Sequence, residues 1–190
     1  VGTLRAILRR LGLWAALAPE VKMLPVSDDV GRAISREEER RLLGECSRSR
    51  SLALFPAVVV SLYSGIRFHE LVGLRWSQVD LKQKTLRVGK SKTVAGAGRA
   101  VPLTPEAYGA LAQWANRFPK RTRDHYVFPA EHYSSKGAYG TTPTEPIDSL
   151  RAAWRGARDR ARLKMRWHDL RHTFATRLLE AGTAFPMVGL

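Results

Sequence analysis

Hydrophobic positions recur at helical spacing along most of the chain. In LRAILRRLGLWAAL, residues 4–17, Leu4, Ile7, Leu8, Leu11 and Leu17 fall near a 3.6-residue period with Arg5, Arg9 and Arg10 between them, which predicts one basic amphipathic helix. Periodicity lapses in MLPVSDDVGR, where Pro, Gly and paired Asp mark a linker over 25–33. That leaves residues 1–24 as a stub too small to fold alone and 34–190 as the main domain. In ISREEERRLL, Ser35 stands three residues before Glu38, a capping box opening a helix that should end near Gly44 or Cys46. SLALFPAVVVSLYSG is apolar over a helical length and tolerates Pro56 only in a first turn, so it predicts the central buried helix, broken at Gly65. A further helix restarts in IRFHELVGL.

Beyond that point the period changes. Thr85 to Val88 and Arg99 to Leu103 alternate as strands do, on either side of a Gly-rich, Lys-bearing loop, and predict an antiparallel hairpin or three-stranded sheet. Thr104 as N-cap and Pro105 at the first helical position open another core helix. Residues 119–148 are rich in Pro, Gly, Ser, Thr and Tyr and read mostly as loop, with YVFP the one compact apolar island. SLRAAWRGARDRARLK returns to helix, turning Leu150, Trp154, Ala157 and Ala161 inward and leaving Arg151, Arg155, Arg158 and Arg162 to a partner. A last helix runs from about Asp169 to Ala181, with Leu170, Phe174 and Leu178 on one side and Gly182 at its end. The fold class is α+β, mainly α.

Composition adds the partner. Lys and Arg total 32 against 17 Asp and Glu, a formal charge of +15, which points to a polyanion, with double-stranded DNA first. A membrane surface is the competing reading, but no apolar run approaches the roughly 20 residues of a spanning helix. The single Cys46 excludes an internal disulfide and a Cys-rich zinc site. The expected setting is cytoplasmic and nucleoid-associated.

Three clusters carry candidate chemistry: Arg67 with Glu70, the hairpin lysines Lys90 and Lys92, and His168 with Arg171 and His172. Phosphoryl transfer on nucleic acid uses such a set. Guanidinium groups bind non-bridging oxygens bidentately and stay charged at any working pH, while a histidine and a lysine can move protons to and from the attacking and leaving oxygens. The chain lacks the clustered carboxylates that hold Mg²⁺ in two-metal nucleases, so no metal or other cofactor is expected. Taken singly, each cluster also has a bland reading as a surface ion pair, a solvated turn or a helix cap. Their joint order along the chain discriminates.

That order, YSGIRFHELVGLRWSQVDL, GKSKTVAGAGRAVPLTPEA, YVFP and then RWHDLRHTFATRLLEAG, resembles the catalytic domain of tyrosine recombinases, the phage integrase family, over about residues 33–190. The opening helix also resembles the last helix of the core-binding domain that these enzymes carry upstream. The resemblance implies that Arg67 and Arg171 clamp the phosphate, with Glu70 orienting Arg67. His168 would be the acid-base histidine and Lys92 the hairpin general acid, with Lys90 as its rival, while His172 would pack or hydrogen-bond behind the site. It further implies site-specific recombination through a 3′-phosphotyrosyl intermediate and a tetramer on paired DNA. Only 19 residues follow Arg171, and Tyr63, Tyr108, Tyr126, Tyr133 and Tyr139 all precede the His-x-x-Arg string. The expectation is therefore a chain cut short before its nucleophile, monomeric by itself, binding DNA without completing cleavage. The rivals are a type IB topoisomerase and a non-catalytic DNA-binding regulator derived from an integrase.

Overall fold

The computed structural model describes residues 2–20, 31–89, 98–135 and 137–183. The chain divides into two compact units, Val1–Val30 and Gly31–Leu190. In the first, the single helix expected from the 3.6-residue period is two, α1 (Gly2–Arg10) and α2 (Trp14–Leu17). Gly12 between them adopts φ +72°, a left-handed conformation that ends the first helix. Arg5 lies 5.0 Å over the Trp14 ring. The predicted linker falls largely on 21–30, outside the described residues.

The second unit is built around α4 (Leu54–Ser64), whose Ala57, Val58 and Val60 are fully buried. Pro56 sits in its first turn, where a missing N–H leaves no intrahelical bond unmade. Three helices, α3 (Arg36–Ser47), α6 (Pro105–Ala115) and α8 (His168–Glu180), pack on it. Local chemistry sets their ends. Ser35 accepts from the Glu38 N–H at 3.2 Å while Glu38 accepts from the Ser35 N–H at 3.0 Å, and Thr104 caps α6 ahead of Pro105. Helix α8 closes in a Schellman turn: Gly182 at φ +83° donates to the Leu179 carbonyl and Thr183 to that of Leu178. Helix α7 (Arg151–Arg160) packs against α3 and buries Trp154 and Ala157, with Leu150 and Ala161 buried at its ends, as its periodicity predicts.

Strands β1 (Val79–Asp80), β2 (Thr85–Arg87) and β3 (Ala100–Pro102) form the expected antiparallel sheet, with Leu86 opposite both Val79 and Val101. A short helix, α5 (Phe68–Val72), and a 3₁₀ turn over Trp76–Gln78 lead into it. The region read mostly as loop contains a second antiparallel pair, β4 (Pro129–Tyr133) and β5 (Tyr139–Pro146). Threonines 141, 142 and 144 have strand-compatible side chains, and in a two-stranded ribbon each strand has an open edge that accommodates Pro143 and Pro146. The ribbon is fixed to the body by Glu131, which accepts from the Ser51 hydroxyl at 2.5 Å and the Ala53 N–H at 2.9 Å. YVFP is an anchor: Val127 and Phe128 are fully buried, and the Val127 carbonyl accepts from Trp114 Nε1 at 2.6 Å. Among the described residues, no helix is long and apolar enough to cross a membrane.

Gly65 ends α4 at φ +63°, and a Cβ there would overlap the Phe174 ring of α8. A left-handed residue bearing a side chain costs roughly 1–2 kcal/mol before any overlap is counted. Gly65→Ala is therefore expected to lower the thermal melting temperature by about 4 °C or more; calorimetry showing an unchanged transition would contradict this packing.

Candidate functional site

The site gathers where α4 ends. Arg67 follows the Gly65 turn as the residue before α5, and its N–H donates to Glu70 Oε2 at 3.1 Å, a side-chain cap on the new helix. Arg67 Nη1 also donates to Glu70 Oε1 at 3.3 Å. The Glu70 side chain has no solvent exposure, so its charge depends on cations held against it. Arg99, immediately before β3, supplies the closer pair: Nη1 to Oε1 at 3.1 Å and Nη2 to Oε2 at 2.7 Å.

Arg171 arrives from α8. It is buried, and its Nη1 donates to the Gly65 carbonyl, the group that the end of α4 leaves without an intrahelical partner. Burial, followed by the like charges of Arg67 and Arg99, holds its pKa below the ordinary guanidinium value, while Glu70 opposes the shift. Arg67, Glu70 and Arg171, which the sequence pattern singled out, are thus near one another. Arg99 was not singled out by that pattern. Its partner lies 29 positions away, and only its place at the foot of the hairpin hinted at a role.

His168 opens α8 three residues before Arg171, on the same face. The imidazole is solvent-exposed, yet its pKa is lowered from the ordinary 6.5, first by partial desolvation and then by His172 and Arg171. The two histidine rings stand nearly perpendicular, with centroids 4.9 Å apart. His172 packs against the Gly31 backbone, where a Cβ would overlap both its ring and the Asp169 carboxylate. Asp169 is buried and accepts from the Arg166 N–H at 2.7 Å, fixing the start of the helix. Thr173 ties the same helix to the entrance of α3, accepting from the Ile34 N–H at 3.1 Å and donating to the Asp169 carbonyl at 2.7 Å. Lys90 and Lys92 lie outside the described residues.

Beside the arginines, Phe68 and Trp167, each the chain neighbour of a site residue, meet edge to face with centroids 4.9 Å apart, and Trp154 continues the stack at 5.0 Å. Arg151, Arg155, Arg158 and Arg166 line this cleft. The assembly offers fixed cationic donors from two helix ends, a neutral imidazole and a basic flank. Such a surface can hold a tetrahedral oxyanion and exchange a proton with a group bound to it.

The tyrosines are engaged elsewhere. Tyr63 donates to the buried Glu39, and desolvation followed by that carboxylate pushes its pKa to about 12. Tyr126 accepts from Arg75 at 2.9 Å, Tyr133 donates to the Arg50 carbonyl, and Tyr139 donates to Glu131 at 3.2 Å. Lys84 lies 5.4 Å from the Tyr108 ring centroid.

Residues 32–188 match the model of the phage integrase family. The integrase of Salmonella phage P22 is 28% identical over 174 residues, covering 89% of this chain and 43% of that protein. The tyrosine recombinase XerC of Pseudomonas aeruginosa is 32% identical over 173 residues, covering 90% and 51%. The chain thus spans about half the length of the curated relatives it matches. In fold it is similar to the solved structure of the Tn1549 transposon integrase in complex with circular intermediate DNA, with a TM-score of 0.65 at 17% identity, covering 99% of this chain and 68% of that one. The mainly helical architecture with small antiparallel sheets is the one anticipated from the resemblance. With the family model matched from the approach to α3 through α8, and the His-x-x-Arg helix docked on the Arg-x-x-Glu turn, the chain belongs to the phage integrase family.

Proposed function

We propose that this chain supplies the phosphate-binding part of a site-specific DNA recombinase. The observation that carries the reading is the convergence of Arg67 and Arg171, one held by Glu70 and the other by the Gly65 carbonyl. Two guanidiniums from separate elements can grip the non-bridging oxygens of a scissile phosphodiester from two sides and stabilise the charge that develops on them. His168, neutral at pH 7, accepts the proton of an attacking hydroxyl. A hairpin lysine, Lys92 or Lys90, protonates the departing 5′ oxygen. The nucleophile is a tyrosine outside this chain, because Tyr63, Tyr126, Tyr133 and Tyr139 hold hydroxyl contacts elsewhere and the Tyr108 ring lies against Lys84. Its attack forms the 3′-phosphotyrosyl bond as the 5′ oxygen leaves, which conserves the phosphoester energy without ATP. Glu70 and His172 support the arginine and the imidazole without touching the phosphate.

The +15 charge and the arginine-lined cleft beside Trp167 support double-stranded DNA as the partner. Residues 1–24 are the remnant of an upstream core-binding domain, and 25–33 link it to the catalytic part. The whole protein works as a tetramer on paired sites, whereas the 190-residue chain alone is monomeric.

On a nicked suicide duplex, the 190-residue chain is expected to give no covalent adduct on a denaturing gel, and the chain extended by its downstream coding sequence to give one. An adduct with the short chain, or none with the extended one, would sink the proposal. In the extended protein, Arg67→Ala and Arg171→Ala should each slow cleavage by about 10²-fold or more, while DNA affinity falls less than about tenfold because many other cations share the backbone. Affinity that drops as far as the rate would make both arginines ordinary backbone contacts.

His168 supplies a pH test. Its folded pKa lies below 6.5, so folding disfavours the imidazolium; the stability it contributes is intact above pH 6.5 and is lost as pH falls through the folded value. An NMR titration should place its midpoint below 6.5, and a midpoint at or above that value would remove the neutral base from the mechanism.

A further inference from the structure

The two arginines on Glu70 do not share it equally. Arg99 makes the parallel two-bond contact, at 2.7 and 3.1 Å, and Arg67 reaches the same carboxylate through one guanidinium nitrogen at 3.3 Å. A forked pairing is the stronger and more directional of the two. The carboxylate charge is therefore taken up mainly by Arg99, and the single Arg67 contact uses one of five N–H donors. Arg99 is also fixed from its backbone, since its carbonyl accepts from the Val88 N–H at 2.9 Å and holds it to the sheet.

We propose that Arg99 is a positioning residue: by occupying the buried Glu70 carboxylate, it keeps Arg67 from being drawn into that pairing and leaves its guanidinium directed at the phosphate. The proposal rests on the recombinase reading of Arg67 and Arg171. Its logic is a competition. Arg67 can serve as the forked partner of Glu70 or as the forked partner of a phosphate, and a buried carboxylate that loses a forked partner draws the neighbouring Arg67 in more fully. Removing Arg99 also takes the sum over Arg67, Arg99, Arg171 and Glu70 from three positive and one negative charge to two and one, so the net charge facing a phosphate halves. A side chain that merely filled space or stapled the hairpin would have no such relation to the charge on Glu70.

The test is a charge-relief cycle in the extended protein, read as the single-turnover cleavage rate on a nicked suicide duplex at saturating protein. Arg99→Met should slow cleavage by about 10²-fold while DNA affinity stays within about threefold. Adding Glu70→Gln to Arg99→Met should restore at least about tenfold of that loss, because no carboxylate remains to capture Arg67. Arg99→Lys, which keeps the charge but not the fork, should fall between wild type and Arg99→Met. If Arg99→Met fails to fold by circular dichroism, Arg99→Lys against Arg99→Lys/Glu70→Gln decides by the same relief. Wild-type rate in the single variant, or a double variant no faster than the single, overturns the proposal while the recombinase reading stands. A wild-type protein that forms no adduct overturns that reading and this proposal with it.

Discussion

A carboxylate with no solvent exposure is tolerable only where cations are held against it, and Glu70 is such a group. It caps the turn into α5, fixes the backbone N–H of Arg67, and receives Arg99 from the foot of the sheet. One side chain thereby sets the approach of a helix and a β-hairpin to each other. The remaining element, α8, is registered through Arg171 on the Gly65 carbonyl. Because Gly65 is the left-handed end of α4, the central helix provides both the direction change that exposes Arg67 and the acceptor that receives Arg171. The site is therefore a consequence of how the central helix stops.

Folding holds this arrangement against an electrostatic cost. Burying cations near one another is unfavourable, and the lowered pKa of Arg171 records the burial and the repulsion from Arg67 and Arg99. The unfavourable field is built in by folding, since Arg171 is held by a carbonyl, Thr173, Asp169 and Arg177 fasten its helix, and α4 lies beneath it. On the proposed function, an incoming polyanion relieves it. Electrostatic preorganisation of this kind lets donors stabilise charge without moving at the moment of reaction.

Much of this was legible in the sequence where the determinants are local. Ser35 with Glu38, Thr104 with Pro105, and the period of Leu150, Trp154, Ala157 and Ala161 each specify their element within one or two turns, and the structure follows them. The His-Asp-Leu-Arg string marked the working helix because its residue types are adjacent in the chain. Arg99 escaped notice because its meaning lies in a carboxylate 29 residues away, and the Arg171 to Gly65 contact spans 106. The β4–β5 ribbon read as loop because Pro and Gly interrupt its threonines, and what stabilises it, Glu131 bonded to Ser51 and Ala53, belongs to another element. The opening helix divided at Gly12 because periodicity reports a face and not the φ of one glycine.

The central claim is that Arg67 and Arg171 hold the same phosphate. A crystal structure of the chain bound to duplex DNA carrying its recombination site tests it most directly. The account predicts one backbone phosphate with non-bridging oxygens within hydrogen-bond distance of both guanidiniums, and His168 beside it. A complex in which the two arginines contact different phosphates, or none, would contradict it.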